Sequence, residues 1–351
     1  MNTRSVRRSL HLLTSAMLAA LVLAGCGSDD SSESNDSSGS DVAGEDGAAA
    51  NDGAFPVTIE HALGETTIES APERVATWGP TGQDITLALG VTPVAMPHIE
   101  YGGDDDGVLP WFREELGDSE LPALVPNVSG EEIPYEALAE AQPDVILAVY
   151  SGITAEQYET LSQIAPTVAY PDAPWSTPWQ DQTRVIGEAL GLAAEADQLV
   201  TDTEAYLDQM AADYPQLDGK TFIYSTEDDG QLGIFTSDDV RVRLLTDLGL
   251  TVAPYVDENA TGDTVYYFVS AELAADIDTD ILVAWFNDPS AADAFAADPL
   301  FSQNPAMQSG AYAPIVGESY VAASSAPSVL SIPWMLDDYV PQLAEAADAA
   351  N

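Results

Sequence analysis

Cationic side chains are the scarcest chemistry in this sequence. Of 351 residues only nine are Lys or Arg, against 59 Asp and Glu. Arg4, Arg7 and Arg8 precede Cys26 and no acid does, so beyond Cys26 six bases face 59 acids, a balance of −53. Such a surface repels phosphate backbones, which excludes nucleic acid as a partner, and it keeps a chain soluble by self-repulsion. Cysteine is nearly absent as well. Cys26 stands alone, so there is no intramolecular disulfide and no cysteine-rich metal site. Past Cys26 the histidines are His61 and His98, too few for the histidine-rich site of a zinc or manganese carrier. A G-x-S-x-G elbow, a phosphate loop and a dinucleotide G-x-G-x-x-G are all missing. Asp104-Asp105-Asp106-Gly107 has the outline of a calcium loop, but Arg113 stands where the closing glutamate belongs, so no metal is expected there. These gaps leave an enzyme reading with little support and no cofactor expected; paired carboxylates for acid–base work stay open in so acidic a chain, though none stands out.

What is present begins with the basic n-region and an apolar run from Leu10 to Ala24, too short for a membrane span. The run ends in Leu23-Ala24-Gly25-Cys26, which resembles a bacterial lipobox. Residues 1–25 are therefore expected to be a lipoprotein signal peptide, with Cys26 the lipidation site. Residues 26–54, rich in Ser, Asp, Gly and Ala, cannot bury enough apolar surface to fold and read as an acidic tether. Together they place the chain outside the cytoplasm, lipid-anchored to the outer face of the cell membrane.

From Phe55 onward, short hydrophobic strands alternate with helical segments, the pattern of an α/β fold. One long amphipathic helix interrupts it. Over Ala193–Pro215, Leu199, Val200, Thr203, Tyr206, Leu207, Met210 and Tyr214 recur at three- and four-residue steps. We read it as a strut (193–215) between an N-terminal α/β lobe (55–192) and a C-terminal α/β lobe with a closing helix (216–351). The fold class is thus two Rossmann-like lobes joined by a single long helix, with mostly parallel sheets and late strands near Ala313–Val316 and Tyr320–Ala322. A pseudo-repeat supports two lobes. Glu136 stands eight residues before Asp144, which opens a strand ending at Tyr150; Glu272 stands eight before Asp280, which opens one ending at Trp285. Ligands of open α/β sheets gather at the carboxyl ends of strands, which aims Tyr150 and Trp285 at one cleft.

Aromatic residues concentrate in the expected loops and strand ends: Trp78, Tyr101, Trp111, Tyr150, Trp175, Tyr267 and Trp285 are the candidate ligand contacts. Aromatic walls with few polar groups suit a bulky, partly apolar ligand. Arg241 opens a helix after Thr236-Ser237-Asp238-Asp239 near the expected cleft, where a planar guanidinium holds carboxylate or hydroxamate-like oxygens.

Several stretches together resemble a known family: FPVTIEHALGETTIESAPERVATWGP, LALGVTPVAMP, YGGDDDGVLPWF, IPYEALAEAQPDVILAVYSGI, APTVAYPDAPWSTPW, VRVRLLTDLG and VLSIPWMLDDYVPQLA. They are similar to the Fe/B12 periplasmic-binding proteins, the substrate-binding lipoproteins of ABC importers for ferric siderophores and cobalamin, and within them to the actinobacterial siderophore binders. The resemblance spans Phe55 to the C-terminus. It implies two lobes on one helix with modest closure, a ferric siderophore held by aromatics and arginine, and iron kept inside its chelator. It also implies that Glu136 and Glu272, one per lobe, dock onto the transmembrane subunits of an ABC permease; a monomer is expected. Val240 departs from the family, where proline is frequent. The same fold would also suit cobalamin or haem; a secreted α/β enzyme and a structural lipoprotein are the alternatives from other classes.

Overall fold

The computed structural model describes residues 54–127, 132–260 and 264–350. The signal peptide, Cys26 and all but the last residue of the tether lie outside the described residues.

A hairpin of β1 (Val57–His61) and β2 (Gly64–Ile68) opens the described chain. The first lobe follows with β3 (Val75–Thr77), α1 (Gly82–Ala88), β4 (Ala95–Pro97), α2 (Pro110–Leu116) and β5 (Ala123–Val125). It continues through α3 (Tyr135–Glu140), β6 (Val145–Leu147), α4 (Ala155–Leu161), β7 (Thr167–Val168) and α5 (Trp179–Leu190). Its strands are all parallel, in the order β5-β4-β3-β6-β7. The strands read as unbroken apolar runs because helices cover both faces.

Next comes α6 (Ala193–Asp213), 21 residues and about 31 Å long. It buries Ala196, Val200, Thr203 and Leu207, the three- and four-residue stripe of the sequence. Its apolar residues belong to one buried cluster that runs from Ile59 of the hairpin through both sheets to Ala347. A core continuous across the strut resists large rotation of one lobe against the other.

The second lobe holds β8 (Thr221–Asp228), β9 (Gln231–Phe235), α7 (Val240–Thr246), β10 (Thr251–Val252), α8 (Pro254–Asn259), β11 (Tyr266–Ser270) and α9 (Ala271–Ala274). It closes with β12 (Ile281–Phe286), α10 (Pro289–Ala297), α11 (Pro305–Ser309), β13 (Tyr312–Val316), α12 (Glu318–Ser325) and α13 (Ser331–Ala349). Strand order is β11-β9-β8-β12-β13, with β10 beside the start of β8. Here the sheet is mixed. An Asp229-Gly230 turn folds β9 back on β8, and β11 adds antiparallel to β9. The strand expected at Tyr320–Ala322 is instead part of α12. Gly317 at φ +106 ends β13, and the alanine- and serine-rich run after it has no alternation to hold a strand.

The pseudo-repeat has a structural counterpart. Asp144 accepts the backbone N–H groups of Glu73 and Arg74 at 2.7 and 2.9 Å, tying the start of β6 to that of β3. Asp280 accepts the Thr221 amide and hydroxyl, both at 2.8 Å, tying β12 to β8 in the same way.

Candidate functional site

The lobes meet along a cleft, and the described side chains on its walls are largely aromatic. From the first lobe, Trp78 lines a hollow of about 200 Å³ with Pro80, Ile99, Asn127 and Trp175. Asn127 brings a buried side-chain oxygen without a hydrogen-bond partner. Pro80 and Ile99 also border a second, almost wholly apolar hollow of about 230 Å³, completed by Tyr101, Leu109 and Trp111 and, from the other lobe, by Ala322, Ser325 and Ala326. Trp175 is 51% exposed, and its backbone is left-handed at φ +60. That conformation is rare for a bulky residue and is held only where surroundings over-determine it. Its indole lies over Gly152, where an added Cβ would come within 2.4 Å, and meets Tyr150 edge-on at 5.7 Å.

From the second lobe comes Arg241, at the start of α7, where its own backbone N–H donates to the Asp239 cap. Its guanidinium lies 4.5 Å above the Phe235 ring and donates to Ser325 Oγ at 3.2 Å, with Asp239 at 3.5 Å. The side chain is 22% exposed. Burial raises the Asp239 carboxyl above its usual range, and the Arg241 charge opposes that rise. Burial likewise pushes Tyr150 up to about 12, again opposed by Arg241. Arg241 acts on Tyr101 in the same sense, so its charge reaches two tyrosines of the opposite lobe.

The aromatic wall extends from Arg241 through Phe235 to Tyr266 at 5.8 Å and on to Phe268 at 5.7 Å. Tyr267 is a correction to the sequence reading. Alternate residues of a strand face opposite sides, and Tyr267 faces away from Phe235. Its hydroxyl donates to the backbone carbonyls of Val256 and Tyr255 at 3.0 and 3.4 Å, pinning α8. Tyr266 and Phe268 stand on the Phe235 side of β11, 47% and 42% exposed. Trp285, near the end of β12, is half-buried against the main core with its indole N–H unpaired, and does not border these hollows. Phe235 was missed because its strand was not expected.

Interlobe contacts ring the cleft. The Tyr101 hydroxyl donates to Asn287 Oδ1 at 2.5 Å, and Ser319 Oγ donates to the Gly102 carbonyl at 2.8 Å. Trp111 packs on Trp334 at 5.2 Å. Beneath them lies Asp84, fully buried, whose Oδ2 accepts Trp111 Nε1–H and the Ser328 hydroxyl, each at 2.7 Å. Its other oxygen has no partner. Burial pushes the carboxyl up to about 7, while the Ser328 and Trp111 bonds favour the charged form. The folded state thus keeps a proton that the unfolded chain releases near pH 4. Stability from this group is full below that pH, falls as pH rises and is lost by about pH 7, a change of roughly 4 kcal/mol. Urea unfolding of Asp84→Asn beside the wild type checks this. The stability difference should move in favour of the variant between pH 4 and 8; a pH-independent difference contradicts it.

Other residues fall elsewhere. His61 is buried, pairs with Thr66 and packs edge-on to Tyr158, a core role. His98 borders a neighbouring hollow with Glu100 and Asn127. Glu136 and Glu272 are both exposed and both stand in the first turn of a short helix, before β6 and β12 respectively. Backbone N–H and the Ser270 hydroxyl hold Glu272 below the usual carboxylate range. A larger hollow, about 430 Å³, lies beside α6 and is bordered by Arg184, Arg243, Asp181, Glu204 and Asp247. It carries charges of both signs and only one aromatic, so we place the site in the aromatic cleft.

Two α/β lobes joined by one long helix, with Arg241 and aromatic side chains where they meet, have the architecture of a two-lobed binding protein. The chain belongs to the periplasmic binding protein family, which matches it over residues 75–312. It is similar to the structure of PiaA from Streptococcus pneumoniae in complex with ferrichrome, at 35% identity and a TM-score of 0.75, covering 84% of this chain and 99% of that one. A periplasmic solute binding protein from Mycobacterium smegmatis is 32% identical with a TM-score of 0.72, over 83% and 98% of the two chains. The siderophore-binding lipoprotein YfiY of Bacillus subtilis, so named as probable, is 25% identical over 70% of this chain and 68% of its own.

Proposed function

We propose that this protein captures a ferric siderophore outside the cytoplasm and presents it to the transmembrane subunits of an ABC permease. It performs no reaction. The observation that carries the reading is the placement of Arg241 over Phe235, within electrostatic reach of Tyr101 and Tyr150 on the other lobe. A guanidinium on an aromatic platform presents fixed donors to the oxygens of a chelate, while indole and phenol faces take its organic shell. Iron then travels as cargo inside its chelator. PiaA, which was solved with ferrichrome, makes a hydroxamate chelate the first candidate.

Cys26 and its lipid would keep the protein beside the membrane, with residues 26–54 as the tether between anchor and lobes. Glu136 and Glu272 would each meet a basic residue of the permease, one from each lobe, so the spacing of the lobes is read along with their charge. The test is equilibrium titration of residues 46–351, which keep every described residue of both lobes, with ferric and iron-free chelators of several classes.

A further inference from the structure

The segment between β4 and α2 folds as a closed loop. Ile99 N–H donates to the Gly107 carbonyl at 2.9 Å, Asp104 N–H to Val108 at 2.9 Å, and Gly107 N–H back to Asp104 at 2.8 Å. Its glycines leave no slack: Gly107, at φ +77, lies so close to His98 that an added Cβ would come within 2.3 Å of the ring. At the centre is the aspartate run whose outline suggests a calcium loop. Arg113 fills it. Its Nε donates to Asp104 Oδ2 at 2.7 Å and its Nη2 to Asp106 Oδ2 at 2.9 Å. Asp104 Oδ1 accepts the amides of Asp106 and Val108 at 2.9 and 3.1 Å. Hydrogen bonding from Arg113 holds the Asp104 carboxyl below its usual range.

This loop supplies Ile99, Tyr101 and Leu109 to the apolar end of the cleft. It also makes the cross-lobe bonds of Tyr101 and Gly102. The fit at Gly102 is close: an added Cβ would stand 2.8 Å from Ala322 Cβ and 2.9 Å from the Glu318 carbonyl. Arg113 itself borders none of the cleft hollows.

We propose that Arg113 is a positioning residue for ligand capture, an internal cation standing where a metal would sit in an acidic loop. By fixing the loop it sets where Tyr101 and Gly102 meet the second lobe, and so the width of the apolar end of the cleft. This rests on the reading of the cleft as the ligand site. Exposed ion pairs contribute little to global stability, so the consequence of losing this one is local.

The test uses residues 46–351 as wild type, Arg113→Ala and Arg113→Lys. Without ligand, amide hydrogen exchange at Asp106 and Val108 should quicken about tenfold in Arg113→Ala while exchange in β8 and β12 stays unchanged. With ferrichrome as probe, affinity should fall about fivefold to tenfold, mainly through faster dissociation, and Arg113→Lys should recover part of both effects. Unchanged exchange in the loop overturns the proposal whatever binds. Quickened exchange with unchanged ferrichrome affinity overturns the link to capture. If the wild type does not bind ferrichrome, the choice of hydroxamate fails; the exchange comparison still decides the clasp, and the ferric chelate that does bind repeats the affinity arm.

Discussion

Arg241→Ala is expected to weaken binding of the ferric ligand by roughly tenfold to a hundredfold, the worth of one or two charge-assisted hydrogen bonds. Arg241→Lys should fall between, since it keeps the charge and loses the planar fork and the stacking on Phe235. Loss of Arg241 also strips the buried Asp239 carboxylate of its partner, so unfolding of each variant must be measured beside its affinity. The neighbouring strand gives an internal control. Tyr266→Ala should cost affinity with little change in stability, because its ring is 47% exposed on the Phe235 side. Tyr267→Ala should cost stability and leave affinity alone, because its hydroxyl holds α8. Equal loss of affinity in both would mean that the facing of β11 does not order the site.

The second large effect concerns delivery. Glu136→Ala combined with Glu272→Ala is expected to leave ligand affinity unchanged and to lower uptake of iron by about tenfold or more in cells that depend on this protein, as truncating charges at a docking rim does. Each single variant should show a smaller loss. Uptake at the wild-type rate in the double variant would remove both residues from the docking surface. The two carboxylates are alike in setting, each exposed on the first turn of a short helix that leads into a strand anchored by an aspartate.

That likeness shows what a sequence discloses and what it withholds. The eight-residue spacing of Glu136 to Asp144 and of Glu272 to Asp280 is a local signal. It reports a real repeat, since Asp144 ties β6 to its parallel neighbour β3 as Asp280 ties β12 to β8. The stripe on α6 is legible for the same reason: a 3.6-residue period needs no partner to be seen. Tyr266 and Tyr267 are another matter. Val265 to Val269 is an unbroken apolar run without alternation, so only its register with β9, Tyr266 opposite Phe235, decides which tyrosine shares the Phe235 face. Phe235 was hidden because β9 is a short strand returning from a tight turn, and its role comes from the arginine above it. The start of α2 at Pro110 carried a usable signal, a proline at the first helical position, within what reads as loop. Arg113 had been visible as the residue out of place in a calcium pattern; that it fills the loop with its own charge is a fact of geometry.

The central claim is that the aromatic cleft holds a ferric chelate. Tryptophan fluorescence of residues 46–351 reports on it directly, because Trp175 stands half-exposed against Tyr150 in the cleft. Titration with ferric hydroxamate, ferric catecholate, ferric citrate, haem and cobalamin, each iron chelator also in its iron-free form, is predicted to give saturable quenching by one ferric chelate and none by its iron-free form. Quenching by haem or cobalamin alone would keep the fold and change the cargo, and silence across the whole panel would contradict the account.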